Sequence, residues 1–162
     1  MFTQPTPPLC LAATSTFEEL ALLCVEPDGD GPSAASPMPD GGAASVRFEG
    51  AGRGRVVIAV SETLLPAIAR NMLGADAAPE PRLQYDALGE LANVLCGTLL
   101  PVLAGPAAAF RLSAPNAVDP AAAAHPGAGE RLAAAARFAL DEGSAVALLF
   151  ADDVQPPAAS AP

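Results

Sequence analysis

The sequence predicts a single α+β domain, a largely antiparallel sheet covered by about three helices. Three observations predict it. Apolar residues recur at helical spacing in three separate stretches, near residues 17–25, 61–73 and 85–100. Strand-like runs come in two pairs, 46–49 with 55–60 and 132–140 with 145–150, each pair joined by a short turn, as antiparallel hairpins are. A length of 162 residues with 51% hydrophobic content suffices for one real core, although alanine inflates that percentage.

Taken in order, residues 1–13 are rich in Pro and Thr and read as a disordered leader. Thr16-Phe-Glu-Glu19 has the form of a capping box, with Glu19 able to reach back to the Thr16 amide, so a first helix is expected from Phe17 to about Val25. Residues 27–44 are Pro, Gly, Ser and Asp without apolar periodicity, and read as a flexible internal loop. Val46-Arg-Phe-Glu49 alternates like a half-buried strand. The glycine-broken Gly50–Gly54 segment turns into a second strand, Arg55–Val60. Its spacing is wrong for a dinucleotide-binding glycine motif, and no helix follows it directly. Ser61 is placed to cap a second helix ending near Leu73, with Gly74 just past its end. Pro66 lies too deep for a comfortable first turn.

The central helix follows from Tyr85, and Pro101 is expected to bend or end it. Phe110–Ser113 is a short strand, and Pro115 suits a sheet edge or a strand end. Residues 119–129 form an Ala/Pro/Gly loop. In residues 130–140 the alanines suggest helix, but Leu132, Ala134, Ala136, Phe138 and Leu140 recur with period two, so a strand is expected. It pairs through the Asp141–Ser144 turn with Ala145–Phe150. The folded domain is thus expected over 14–152, with 153–162 a loose Pro/Ala-rich tail.

Composition excludes several chemistries. A net charge of −10 argues against nucleic acid and anionic membrane surfaces as partners. All eight basic residues are arginine, which removes Schiff-base chemistry and the phosphate-loop lysine. Cys10, Cys24 and Cys96 form no CxxC, and reduced thiols in a cytoplasmic protein are expected. The single histidine, His125, sits in a loop with no nucleophile set around it, and no metal site or cofactor of the chain's own is expected. Val94–Phe110 carries no charge, but Gly97, Pro101, Gly105 and Pro106 interrupt it, so a buried core helix followed by a turn is expected rather than a membrane span.

The central helix holds the candidate site. At about 100° per residue, Leu88, Leu91, Ala92, Leu95 and Leu99 form an apolar side, and Asp86, Glu90, Asn93 and Gly97 fall together on the other. A plainly solvated face is usually stocked with long charged side chains. This one has two carboxylates, an amide and a glycine that costs about 1 kcal/mol relative to alanine. Such a face suits an acid-plus-amide pair presented to another molecule's backbone.

Asp86, three residues, Glu90, two residues, Asn93 resembles the signature of the CheC/CheX family of chemotaxis phosphatases, whose pattern continues with a proline about twenty-two residues on. Pro115 follows Asn93 after twenty-one, and the missing residue can be placed near the Gly105-Pro106 turn. The string Glu90-Leu-Ala-Asn-Val-Leu-Cys-Gly97 is similar to the family's helix, and Thr16-Phe-Glu-Glu-Leu-Ala-Leu-Leu to its first helix. The resemblance runs loosely from Thr14 to Asp152.

It implies a CheX-like fold and hydrolysis of the phosphoaspartate of a CheY-like response regulator, with the magnesium ion supplied by the regulator. Asn93 would orient the attacking water. Glu90 would dock the regulator through its active-site lysine. Asp86 would either support that contact or face water, and Gly97 would either permit close approach or serve packing. Family members pair through sheet edges, which makes a homodimer one expected assembly. The alternative functions are a non-catalytic adaptor of the same fold, binding a receiver domain or a flagellar-switch component, and an acidic scaffold whose motif is accidental.

Overall fold

The structure, a computed structural model, describes residues 7–77 and 79–152. Among these residues seven strands form one antiparallel sheet: β1 (Glu26–Asp30), β2 (Gly42–Gly50), β3 (Gly54–Val60), β4 (Phe110–Leu112), β5 (Asn116–Val118), β6 (Glu130–Leu140) and β7 (Gly143–Asp152). Their order is β1-β6-β7-β3-β2-β4, with β5 beside β4 along the same edge of β2. Helices α1 (Pro8–Leu20), α2 (Leu64–Leu73) and α3 (Pro81–Ala104) accompany the sheet, together with a single turn, α4 (Pro120–Ala123). The expected α+β architecture is present, including both hairpins: Phe48 stands opposite Gly54 in one, and Leu140 opposite Gly143 in the other.

Period-two alternation sorts the strand residues into two cores. Val46, Phe48, Val56, Ile58, Val60, Phe138, Ala147 and Leu149 join Phe17, Leu88, Leu91, Leu95 and Leu99 in the cluster beneath the helices. The opposite parity, including Val57, Ala59, Val146, Leu148 and Phe150, packs with Ala34 and Ala123 on the other face. Burial on both faces is why β3 and β7 read as continuous apolar runs.

Several expectations need correction. Residues 8–13 are helical, inside the stretch expected to be a leader; residues 1–6, and the tail 153–162, lie outside the described residues. The capping box is not used. Thr16 is buried inside α1, and its hydroxyl donates to the Ala12 carbonyl at 2.7 Å. Burial of Leu9, Cys10 and Ala13 extends the helix backward past a cap that Thr16 would have made locally. The helix ends at Leu20 rather than Val25, where Leu22 turns left-handed at φ 56°.

Residues 27–44 are not a featureless loop. Glu26–Asp30 pairs with β6, and Pro32–Ala35 forms a 3₁₀ turn over the second core. Arg137 pins that turn, donating to the carbonyls of Ala34, at 3.2 Å, and Pro37. The sequence hides these elements because every residue of β1 is exposed, so the strand carries no apolar alternation to announce its pairing with β6. Helix α2 starts at Leu64, so Pro66 falls in its first turn, where proline is tolerated. The Ser61 hydroxyl does not cap the helix but accepts from the Ser144 amide at 3.0 Å, while its carbonyl accepts from the Leu64 amide at 3.0 Å. Gly74 closes α2 at φ 65°, as expected.

Helix α3 runs through Pro101 to Ala104. It is the one helix among the described residues long and apolar enough to cross a membrane, and half of its most apolar window is buried inside the protein. Cys96 lies on the buried side, where desolvation pushes its thiol up to about 12.

Glu130, at the start of β6, is 6% exposed and joins three elements. It accepts from the Gly127 amide at 2.7 Å and from Arg55 Nε at 3.0 Å, and pairs with Arg47 at 3.4 Å. Burial alone would push its carboxyl up. The amide and the two guanidiniums outweigh that and hold it below its ordinary value of 4.5. A depressed folded-state value stabilises above the unfolded one, and that contribution is lost as pH falls through the folded one. The wild-type urea midpoint is therefore expected to drop below pH 4.5 more steeply than that of Glu130→Gln, which starts lower at neutral pH and has no such carboxyl to titrate.

Candidate functional site

The position of α3 determines the site. Its helix begins at Pro81, whose fixed φ and missing N–H suit a first helical residue. It packs against α1 and α2 and lies over β2, β3 and β5. Leu88, Leu91, Ala92, Leu95 and Leu99 are fully buried. Driving this side into the core forces the opposite side outward, so Asp86, Glu90 and Gly97 are exposed and Asn93 is half-buried. The helix is unbroken from Asp86 to Gly97. Glu90 and Asn93 thus leave a rigid rod one turn apart on neighbouring positions. Among the described residues no hydrogen bond or ion pair occupies the side chains of Asp86, Glu90 or Asn93.

A groove of about 310 Å³ runs beside the acidic end of this face, lined by Tyr85, Asp86, Gly89, Glu90, Pro115 and Ala117. Its second wall is the edge of the sheet. Ser113 ends β4 by exchanging hydrogen bonds with β2: its amide donates to the Arg47 carbonyl and its hydroxyl accepts from the Arg47 amide, both at 2.9 Å. Pro115 then falls in the gap before β5, where a missing N–H costs no ladder bond. A side-chain carbon on Gly89 would come within 3.0 Å of Pro115 Cβ. The one-residue shortening of the Asn93–Pro115 connection therefore leaves the proline against the helix, one turn before Asn93.

Gly89 and Tyr85 were not among the residues singled out from sequence. The available signal was a glycine inside a helix, which usually has a packing or functional reason. Tyr85, one turn earlier, lays its ring on β2: a Cβ at Gly42 would stand 2.9 Å from Tyr85 Cε1.

Gly97 differs from Gly89. A Cβ there would meet nothing within 4 Å, so no packing inside this chain requires the glycine. Pro101 has no N–H to give the Gly97 carbonyl its i+4 partner, and that acceptor lies on the exposed face. Gly97→Ala is expected to raise folding stability by about 1 kcal/mol, read as a higher urea midpoint.

The arrangement presents two carboxylates and an amide to whatever approaches this face. Among the described residues no group of three or more His, Cys, Asp or Glu could hold a metal ion. His125 lies exposed in the segment after α4, far along the chain from this face.

The comparisons with known proteins agree with this fold. The profile of the family described as chemotaxis phosphatase CheX matches residues 43–135, more than half of the chain. No curated protein sequence is significantly similar to it. Among solved structures, a chemotaxis protein CheX from Desulfovibrio desulfuricans superposes with a TM-score of 0.70 at 18% identity, covering 90% of this chain and 97% of that one. CheX from Vibrio vulnificus gives 0.68 at 21% identity, covering 90% and 97%. A Borrelia burgdorferi CheX, solved in complex with CheY, BeF3 and magnesium, gives 0.68 at 16% identity, covering 89% and 94%.

Proposed function

Since the chain belongs to the CheX chemotaxis phosphatase family, we propose that it hydrolyses the phosphoaspartate of a CheY-like response regulator, with Asn93 and Glu90 as the working pair. One observation carries the assignment of residues: Glu90 and Asn93 stand together on the outer side of an unbroken helix, and neither side chain is engaged among the described residues. The complex of the Borrelia burgdorferi CheX with CheY supports the choice of partner class.

The chemistry asks little of the phosphatase. An aspartyl phosphate has a good leaving group, and the regulator's own magnesium neutralises charge on the phosphoryl oxygens. What remains is to hold a water in line with the breaking P–O bond. A carboxamide can do this, accepting from the water through its oxygen while its NH₂ donates to a phosphoryl oxygen or a neighbouring group. A carboxylate in its place would repel the phosphoryl group. Glu90, one turn before, presents a charge to the regulator's active-site lysine and sets the register of docking. Asp86 adds negative potential to the same groove, and the open side of Gly97 allows partner backbone to approach. A CheY-like substrate sets the work in the cytoplasm.

The test is the decay of a phosphorylated CheY-like protein with and without the domain. Acceleration by wild type that Asn93→Ala abolishes, with binding retained, supports hydrolysis. Binding without acceleration by wild type would make the domain an adaptor.

A further inference from the structure

Away from the α3 face, the arginines are unevenly placed. Arg47, Arg53 and Arg111 line one groove of about 360 Å³ at the β2–β3 turn, with the carboxylates of Glu49 and Asp152 also in its wall. Arg53 and Arg111 also line an adjoining groove of about 480 Å³ that reaches Phe110. The chain has only eight cationic side chains against eighteen acidic ones, so three arginines against two carboxylates make this groove net positive on a strongly acidic chain.

These guanidiniums have donors to spare. Arg55 is nearly buried and takes both oxygens of Glu130, at 3.0 and 3.1 Å, while its guanidinium carbon stands 4.1 Å over the Phe150 ring. Glu130 is thereby largely consumed. Arg47, 54% exposed, is left with a 3.4 Å contact to Glu130 and a 3.7 Å approach to Asp152, the second beyond hydrogen-bond reach. Arg111 meets only Glu49, at 3.5 Å, with both side chains more than half exposed. Arg53 has no carboxylate within 4 Å among the described residues. Each guanidinium offers five N–H donors in a planar fork that matches phosphate oxygens. The Arg47 backbone, bonded to the Ser113 amide and hydroxyl, holds the β2 and β4 sides of the lining together.

We propose that the groove lined by Arg47, Arg53 and Arg111 binds the phosphate groups of a small phosphorylated ligand, with Arg53 and Arg111 as the principal contacts. Its volume is that of a small-molecule site rather than a protein interface. Neither Glu90 nor Asn93 lines it, so the inference stands independently of the phosphatase reading.

Calorimetric titration of the purified protein with pyrophosphate tests it. Saturable binding is expected, with Arg53→Ala and Arg111→Ala each weakening it at least tenfold, which is about 1.4 kcal/mol, and Arg70→Ala, on α2, leaving it unchanged. All three side chains are exposed, so the variants are expected to fold, and an unchanged urea midpoint checks this. No saturable binding at millimolar pyrophosphate would overturn the proposal. So would an equal loss in Arg70→Ala, which would mean general charge attraction, or equal affinity for citrate, which would remove the preference for phosphate.

Discussion

Asn93→Ala is expected to bind a phosphorylated CheY-like receiver normally while returning its dephosphorylation to the spontaneous rate. The loss is on the order of 10²–10⁴ in the accelerated rate, the range in which a positioned group assists proton transfer or orients a nucleophile. The side chain is half-buried and makes no hydrogen bond among the described residues, so alanine removes it without stranding a partner there or opening a core cavity. Alanine is also the better helix former, and the urea midpoint should hold or rise. Asn93→Asp separates orientation from size. It keeps the shape, replaces the donating NH₂ with an acceptor, and puts a charge beside the phosphoryl oxygens. It should therefore be as inactive as alanine. Phosphatase activity surviving in Asn93→Asp would contradict the role given to the amide.

Glu90→Ala is expected to act on the other parameter. Removing a charge that meets the receiver's lysine costs about 1.5–3 kcal/mol for a charge-assisted contact, so the receiver concentration for half-maximal decay should rise by about 10–100-fold. The maximal rate at saturation should change far less, because Asn93 remains. Glu90→Gln keeps the length and should fall between. Added salt should weaken wild-type binding more than that of the alanine variant. If Glu90→Ala instead loses maximal rate at unchanged half-saturation, Glu90 acts in the chemical step and not in docking. Together the two variants assign one residue to rate and the other to affinity, which decay traces at several receiver concentrations resolve.

Much of this site could be read from the chain because one long helix carries it. Leu88, Leu91, Leu95 and Leu99 recur with a period that allows only one side to be buried, and once that side is placed, Asp86, Glu90, Asn93 and Gly97 have only the outside left. The two long hairpins were legible for a similar reason. Alternation in 130–140 outweighed alanine's helical preference, since burying Ala136 and Phe138 needs a strand.

Where the chain misled, a local signal was outweighed by distant burial, or no signal existed. Thr16 looks like a cap, but the helix gains more by burying Leu9, Cys10 and Ala13 than the cap could offer, and the threonine hydroxyl finds Ala12 instead. β1 carries Glu26, Pro27 and Asp28, which resemble loop residues because the strand lies exposed at an edge of the sheet. The 3₁₀ turn at Pro32–Ala35 depends on Arg137, about a hundred residues away, and no spacing within 27–44 announces it.

By itself the sequence determined the fold class, the helix that presents the candidate residues and the side of that helix they occupy, because each follows from periodicity within one continuous stretch. Only the tertiary structure decided what stands beside that helix: Pro115 against Gly89, Tyr85 on Gly42, and the arginines gathered at the β2–β3 turn. Those neighbours come from strands far apart in the chain, and their meeting depends on sheet order and register, which no local pattern encodes.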